Sequence, residues 1–312
     1  MFYVPEIFEP RFTVTLLVPA AESEAISDRF WSCGASAVVE LAAVELAAGD
    51  LEEVALAGSE GLVRLIGDLT PSGIRALKAE SLVSDAQVIG IEPIDADFAL
   101  SNEWRKHAKA WVCADRILLR PQWVSADVQT QQRVDQGELL EIVLEPGSAF
   151  GSGSHMTTRL CVGQVSQLDL TGCRVLDVGC GTGVLSVASV LLGADSVQAV
   201  DSDPEAIRVT RLVAELNNSS EKIQTLPAQG FVSDGTEFDL VLANLLLPII
   251  EEAGADLMKS VVPSGLIMVS GVLTHQKLRV EEVFSEFNLL RVEEDEGWLV
   301  LVFQRPDSAA RQ

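Results

Sequence analysis

The stretch Asp177-Val178-Gly179-Cys180-Gly181-Thr182-Gly183 has the residue types and spacing of a small-molecule site. The apolar run leading into it reads as a buried parallel strand that ends at a tight turn. Glycines at alternate positions let the backbone close around a ligand, because no Cβ blocks approach or left-handed φ. A second apolar run, Val197-Gln198-Ala199-Val200, ends in Asp201. An acid at that point takes the two hydroxyls of a ribose in nucleotide-binding β-α-β units. The glycines run G-x-G-x-G, not the G-x-G-x-x-G of dinucleotide enzymes. With Asp177 just ahead of the loop, the pattern suits a ligand carrying a ribose and a positive charge but no pyrophosphate. S-adenosylmethionine meets that description. The expected cofactor contacts are Gly179, Gly181, Gly183, Asp177 and Asp201, together with Phe150 at the start of a glycine-serine loop earlier in the chain.

Three further features should meet this loop at the C-terminal ends of the strands, where open α/β sheets bind ligands. Phe150-Gly151-Ser152-Gly153-Ser154-His155-Met156-Thr157-Thr158 is a glycine-serine loop running into a helix. Backbone N–H groups and hydroxyls at such a helix start favour an anionic group, such as a ligand carboxylate. His155 is a candidate for orienting substrate or relaying a proton, against the plainer role of packing or capping. Asn244, in Leu242-Ala243-Asn244-Leu245, stands where a buried strand opens, and so is placed to face a ligand; the alternative is a helix cap. The motif is not the Asn-Pro-Pro-Tyr of enzymes that methylate amide or base nitrogens. The segment from Trp104 to Trp123, with Arg105, Lys106 and Lys109, reads as domain packing or a partner contact.

The elements that must position these residues fall into two sets. Positions 1–98 alternate strand, helix, strand, strand, helix, strand, which is the order of a smaller α+β ferredoxin-like domain. The helices there are expected over 21–33 and 71–82. Positions 99–138 read as a linking helix and connector: a helix over 102–112, strands at 117–119 and 121–123, and an exposed loop over 125–137. From 139 to 312, strands and helices alternate, ending in two strand runs over 289–292 and 298–303. That alternation predicts an α/β, Rossmann-like domain with a parallel-rich sheet and an antiparallel strand added by the closing hairpin.

Composition narrows the partners. The chain has 312 residues, 48% of them apolar, enough for a sizeable core. Its formal net charge is −24, from 22 basic and 46 acidic residues, and 17 acidic against 5 basic residues lie in positions 1–98. Affinity for a bare phosphate backbone comes from Lys and Arg, so direct nucleic-acid binding is not expected. A basic partner would be steered to this surface instead. No apolar run reaches about 18 residues, so no membrane span is expected. The start, Met1-Phe2-Tyr3-Val4-Pro5, lacks the pattern of a secretory signal. Five scattered cysteines without a C-x-x-C pair point to reduced thiols in the cytoplasm, and nothing points to a metal.

Together, Phe150-Gly151-Ser152-Gly153-Ser154-His155-Met156-Thr157-Thr158, Leu176-Asp177-Val178-Gly179-Cys180-Gly181-Thr182-Gly183, Val200-Asp201-Ser202-Asp203-Pro204 and Ala243-Asn244 resemble the PrmA family. These are class I methyltransferases of bacterial large-subunit ribosomal protein 11. The glycine loop is shared by many methyltransferases, whereas the Phe-Gly-x-Gly-x-His-x-Thr-Thr phrase is far more specific. The resemblance implies S-adenosylmethionine contacts at Thr158, Gly179, Asp201 and Asn244, and methylation of lysine ε-amines or the N-terminal α-amine of the ribosomal protein. It also implies that the N-terminal domain grips that protein while the middle segment lets the domains reorient. The enzyme is expected to act as a monomer. Met156 stands where the family usually has proline, and Lys106-His107-Ala108-Lys109-Ala110 replaces an aromatic followed by Lys-Pro. The alternative is a methyltransferase acting on another protein or a small molecule.

Overall fold

The computed structural model describes residues 12–33, 35, 38–42, 62–79, 87–93, 108–145, 151, 153, 155–228 and 230–307. The chain divides between His107 and Ala108 into two compact units.

In the first unit, β1 (Phe12–Pro19), α1 (Ser23–Ser32), β2 (Val38–Ala42), β3 (Leu62–Leu69), α2 (Pro71–Ala79) and β4 (Gln87–Pro93) follow in chain order. They form a four-stranded sheet ordered β2-β3-β1-β4, and each neighbouring pair is antiparallel. Period-2 alternation puts Val14, Leu16 and Val18 of β1 with Leu65 and Leu69 of β3 in one core. Ile26 and Phe30 of α1, one helical turn apart, and Leu77 of α2 complete it. Gly67 makes the close approach possible: a Cβ there would lie 2.4 Å from the Phe30 ring. This is the ferredoxin-like order expected from the sequence.

The second unit starts with a small sheet. β5 (Trp111–Cys113) pairs antiparallel with β6 (Ile117–Pro121), which runs parallel to β7 (Leu140–Leu144). Three expectations fail here. Residues 101–107 lie outside the described region, but Trp111 and Val112 are strand, not helix, because Leu118 and Leu119 supply a ladder partner. The expected exposed loop over 125–137 contains helix α3 (Val128–Asp135), capped by Asp127, whose carboxylate accepts from the N–H groups of Gln129 and Thr130 at 3.0 Å. That helix buries no side chain, so it has no apolar stripe for periodicity to detect. The expected strand at 121–123 also stops at Pro121, where the chain turns.

The remainder is a doubly wound sheet. Its elements are α4 (Met156–Val165), β8 (Arg174–Val178), α5 (Val184–Leu191), β9 (Ser196–Asp201), α6 (Pro204–Leu216), β10 (Ile223–Pro227), β11 (Phe238–Asn244), α7 (Leu247–Lys259), β12 (Val261–Leu273), α8 (Lys277–Val283), β13 (Asn288–Asp295) and β14 (Trp298–Gln304). The strand order is β10-β9-β8-β11-β12-β14-β13. The first five strands are parallel, and β14 and β13 are antiparallel, as the closing hairpin predicted. Along β8, Val175 faces the core under α4 to α6, whereas Leu176 and Val178 face the core under α7 and α8. The small sheet is tied on by Asn217, whose amide exchanges two 2.8 Å hydrogen bonds with the backbone of Val143.

Candidate active site

Strands β8, β9, β11 and β12 run parallel, so Val178, Asp201, Asn244 and Leu273 end at one edge of the sheet. The loop after β8 is drawn onto β9: the N–H groups of Gly179 and Cys180 both donate to the Val200 carbonyl, at 2.8 and 3.1 Å. Gly179, Gly181 and Gly183 have φ of 73°, 53° and 77°. A Cβ on Gly179 would sit 2.3 Å from Leu245, the residue after Asn244. Glycine is therefore needed for conformation and for close approach, as the alternate spacing predicted.

Asp201 is oriented before any ligand arrives. Its Oδ2 accepts from the Gly181 N–H and its Oδ1 from the Asp203 N–H, both at 2.9 Å. The remaining lone pairs are free to accept a diol. Asp177 is placed differently from an acid that faces a ligand. It is 1% exposed, lies beneath the loop, and accepts a 2.6 Å hydrogen bond from Ser186 of α5. Burial pushes its pKa up to about 6, and the nearby Asp201 charge adds to the rise.

Helix α4 brings the second sequence feature to the same edge. His155 is its N-cap, with Nδ1 accepting from the Thr157 N–H at 3.3 Å and 2.8 Å from the Thr157 hydroxyl. Its ring stands edge-on against Trp298 at 5.0 Å between centroids. Burial, with Arg159 nearby, lowers its pKa to about 4, so it is neutral and weakly basic at neutral pH. The Asn244 amide donates to the Thr157 hydroxyl at 3.3 Å. Two buried oxygens, Thr158 Oγ1 on the next residue of α4 and Asn244 Oδ1 on the same amide, have no hydrogen-bond partner among the described residues. Orphaned buried oxygens are costly unless a ligand completes them. Phe150, expected to contact the cofactor, lies outside the described residues, as do Ser152 and Ser154.

Sequence reasoning missed several supports. Thr210 of α6 donates to the Gly181 carbonyl at 2.9 Å, and Thr182 donates to the Gly151 carbonyl at 2.8 Å. Gly271, with φ of 81°, lets β12 pass Leu245, whose carbonyl oxygen would be 2.5 Å from a Cβ. Trp298 had a signal only as a strand residue. Each of these contacts joins residues distant in sequence, which no local pattern reports.

A parallel sheet closed by an antiparallel hairpin, with a glycine loop after β8 and an oriented acid ending β9, defines a class I methyltransferase. Relatives agree. The chain is 34% identical over 209 residues to a ribosomal protein L11 methyltransferase of Dictyoglomus thermophilum, covering 66% of each chain. It is 34% identical over 226 residues to one of Actinobacillus pleuropneumoniae serotype 7, covering 72% of this chain and 74% of that one. The matches thus span about two thirds to three quarters of these relatives' length. A crystal structure of ribosomal protein L11 methylase from Lactobacillus delbrueckii subsp. bulgaricus superposes with a TM-score of 0.57 at 25% identity, covering 63% of this chain and 98% of that one. The profile described as ribosomal protein L11 methyltransferase (PrmA) matches residues 12–306, and this chain belongs to that family.

Proposed function

We propose that this protein transfers methyl groups from S-adenosylmethionine to amines of large-subunit ribosomal protein L11. The observation that carries the cofactor half is the orphaned buried oxygen Thr158 Oγ1, taken with the glycine loop and a pre-oriented carboxylate. The donor set fits an adenosyl ligand. Asp201 would take the ribose hydroxyls, Gly179 and Gly181 leave room for the backbone to approach, and Thr158 would bond a polar group of the amino-acid end. Asp177, beneath the loop, would hold it through Ser186 and contribute negative charge toward a cation.

When bound, the cofactor supplies an activated methyl on a sulfonium. The chain's own work is positioning, which is where such a displacement gains most. Asn244 holds its amide by donating to Thr157, which leaves Oδ1 to accept from an acceptor amine and aim its lone pair. The amine must be neutral, while a free lysine has pKa about 10.4. A dry apolar surround lowers that value and a close carboxylate raises it. The acidic surface therefore serves long-range attraction of a lysine-rich substrate, with the acceptor pocket apolar. His155, capping α4 and packed on Trp298, orients this corner. We assign residues 1–98 to substrate recognition, 99–138 to connection and 139–312 to catalysis, in a cytoplasmic monomer that makes no direct nucleic-acid contact.

The test is intact-mass spectrometry of unmodified ribosomal protein L11 after incubation with this enzyme and S-adenosylmethionine. Mass gains in whole methyl steps are expected, and peptide mapping then locates the amines. No gain, from a sample that binds the cofactor, rejects this substrate in favour of another protein or a small molecule.

A further inference from the structure

Thr182 is fully buried inside the glycine loop, yet its hydroxyl bonds to no atom of that loop. It donates at 2.8 Å to the carbonyl of Gly151, 31 positions earlier, in the glycine-serine segment that leads into α4. The fit is close on both sides. Gly151 has φ of 105°, and a Cβ there would come within 2.7 Å of Thr182 Oγ1. Farther along the segment, Gly153 packs on Leu144 and Leu119, and His155 caps α4 against Trp298. Gly153 is thus held on the small sheet and His155 on β14, and Thr182 alone among these contacts joins Gly151 to the loop that would take the cofactor.

We infer that Thr182 is a positioning residue for the cofactor: it locks the segment bearing Thr158 to the glycine loop, so that the two sides of the site close as one body. This deepens the cofactor reading above and rests on it. Thr158 Oγ1 is buried without a partner, so its alignment with a ligand is set by the backbone that carries it. That backbone is held to the opposite wall of the site by the Thr182 bond. Cutting the bond leaves the Gly151 carbonyl to find another donor and lets Gly151 shift against the glycine loop, while Gly153 and His155 keep their own contacts. Cofactor affinity then falls through Thr158, although Thr182 need not touch the ligand.

The test is calorimetric titration of the full chain with S-adenosylhomocysteine, a probe that needs no turnover. Thr182→Val keeps the branched shape and removes the donor, and should raise the dissociation constant roughly three- to tenfold, the scale of one lost buried hydrogen bond. Thr182→Ser keeps the hydroxyl and should bind within about twofold of the parent, on the same scale. Thr158→Val should weaken binding by itself, and Thr158→Val with Thr182→Val should be no weaker than Thr158→Val alone, because contacts in one chain of action do not add. A Thr182→Val protein that binds like the parent overturns the inference, and so do effects that simply multiply. If Thr182→Val fails to fold, Gly151→Ala breaks the same bond from the other side and should weaken binding to match. A folded parent that does not bind the probe overturns the cofactor reading and this inference together. A parent that binds, with only Thr158→Val weakened, overturns this inference alone.

Discussion

Replacing Asp177 by Asn should change how stability depends on pH, in a direction opposite to that of most paired carboxylates. The side chain is buried and its pKa is raised to about 6, chiefly by burial, from 3.8. The folded state therefore holds the proton more tightly than the unfolded chain does. Well below pH 3.8 the carboxyl is neutral in both states and costs nothing. As pH rises from about 4 to about 6 the unfolded chain releases its proton first, so folding loses stability, and the loss is complete above about pH 6. The shift corresponds to about 3 kcal/mol at 1.36 kcal/mol per pH unit. Asn cannot ionise but can still accept from Ser186. Its extra N–H group, if left unpaired, costs about 1–3 kcal/mol at every pH. The informative quantity is thus the change with pH in the stability difference between variant and parent, since the amide cost cancels. Urea unfolding at pH 4.0 and 7.5, followed by tryptophan fluorescence, measures it. Asp177→Asn should gain about 2–3 kcal/mol on the parent between those conditions. A difference constant to within about 0.5 kcal/mol would refute the assignment of a buried, raised carboxyl. The same variant should bind a sulfonium cofactor less tightly, since the loop would lose the negative charge beneath it.

Asp201→Ala should abolish measurable S-adenosylhomocysteine binding by calorimetry while leaving the far-ultraviolet circular dichroism unchanged. The carboxylate is half-buried at a strand end, and only the Gly181 and Asp203 N–H groups lose a partner. Gly271→Ala should destabilise the second unit by about 2–4 kcal/mol in urea unfolding, combining left-handed strain with overpacking. It should also weaken cofactor binding, because its Cβ meets the backbone of Leu245 beside Asn244. Met156→Pro should raise stability by about 0.4–1 kcal/mol in the same assay. Met156 is the first residue of α4, where proline fits, and the extended His155 before it, with φ −73° and ψ 140°, already has the conformation a proline demands.

The glycine loop, Asp201 and Asn244 were legible in the chain because local geometry announces them. Alternate glycines mark left-handed backbone, and a polar residue closing an apolar run marks the mouth of a parallel strand. The alternation of strands and helices likewise determined the four-stranded and seven-stranded sheets, whose elements carry their apolar runs and stripes in the sequence. Helix α3 was not legible, because a helix that buries nothing has no stripe, although its Asp127 cap could have been noticed.

What only the tertiary structure decided is how residues far apart in sequence meet. Nothing local shows that Trp298 would stand against His155, that Thr182 would reach Gly151, or that β12 would thread past Leu245 at Gly271. Asp177 makes the same point for chemistry. Its place before the glycines follows from the sequence, but its position under the loop, its bond to Ser186 and its raised pKa follow from packing. A carboxyl's charge depends on the dielectric around it, and that is set by every element packed over it rather than by its neighbours along the chain.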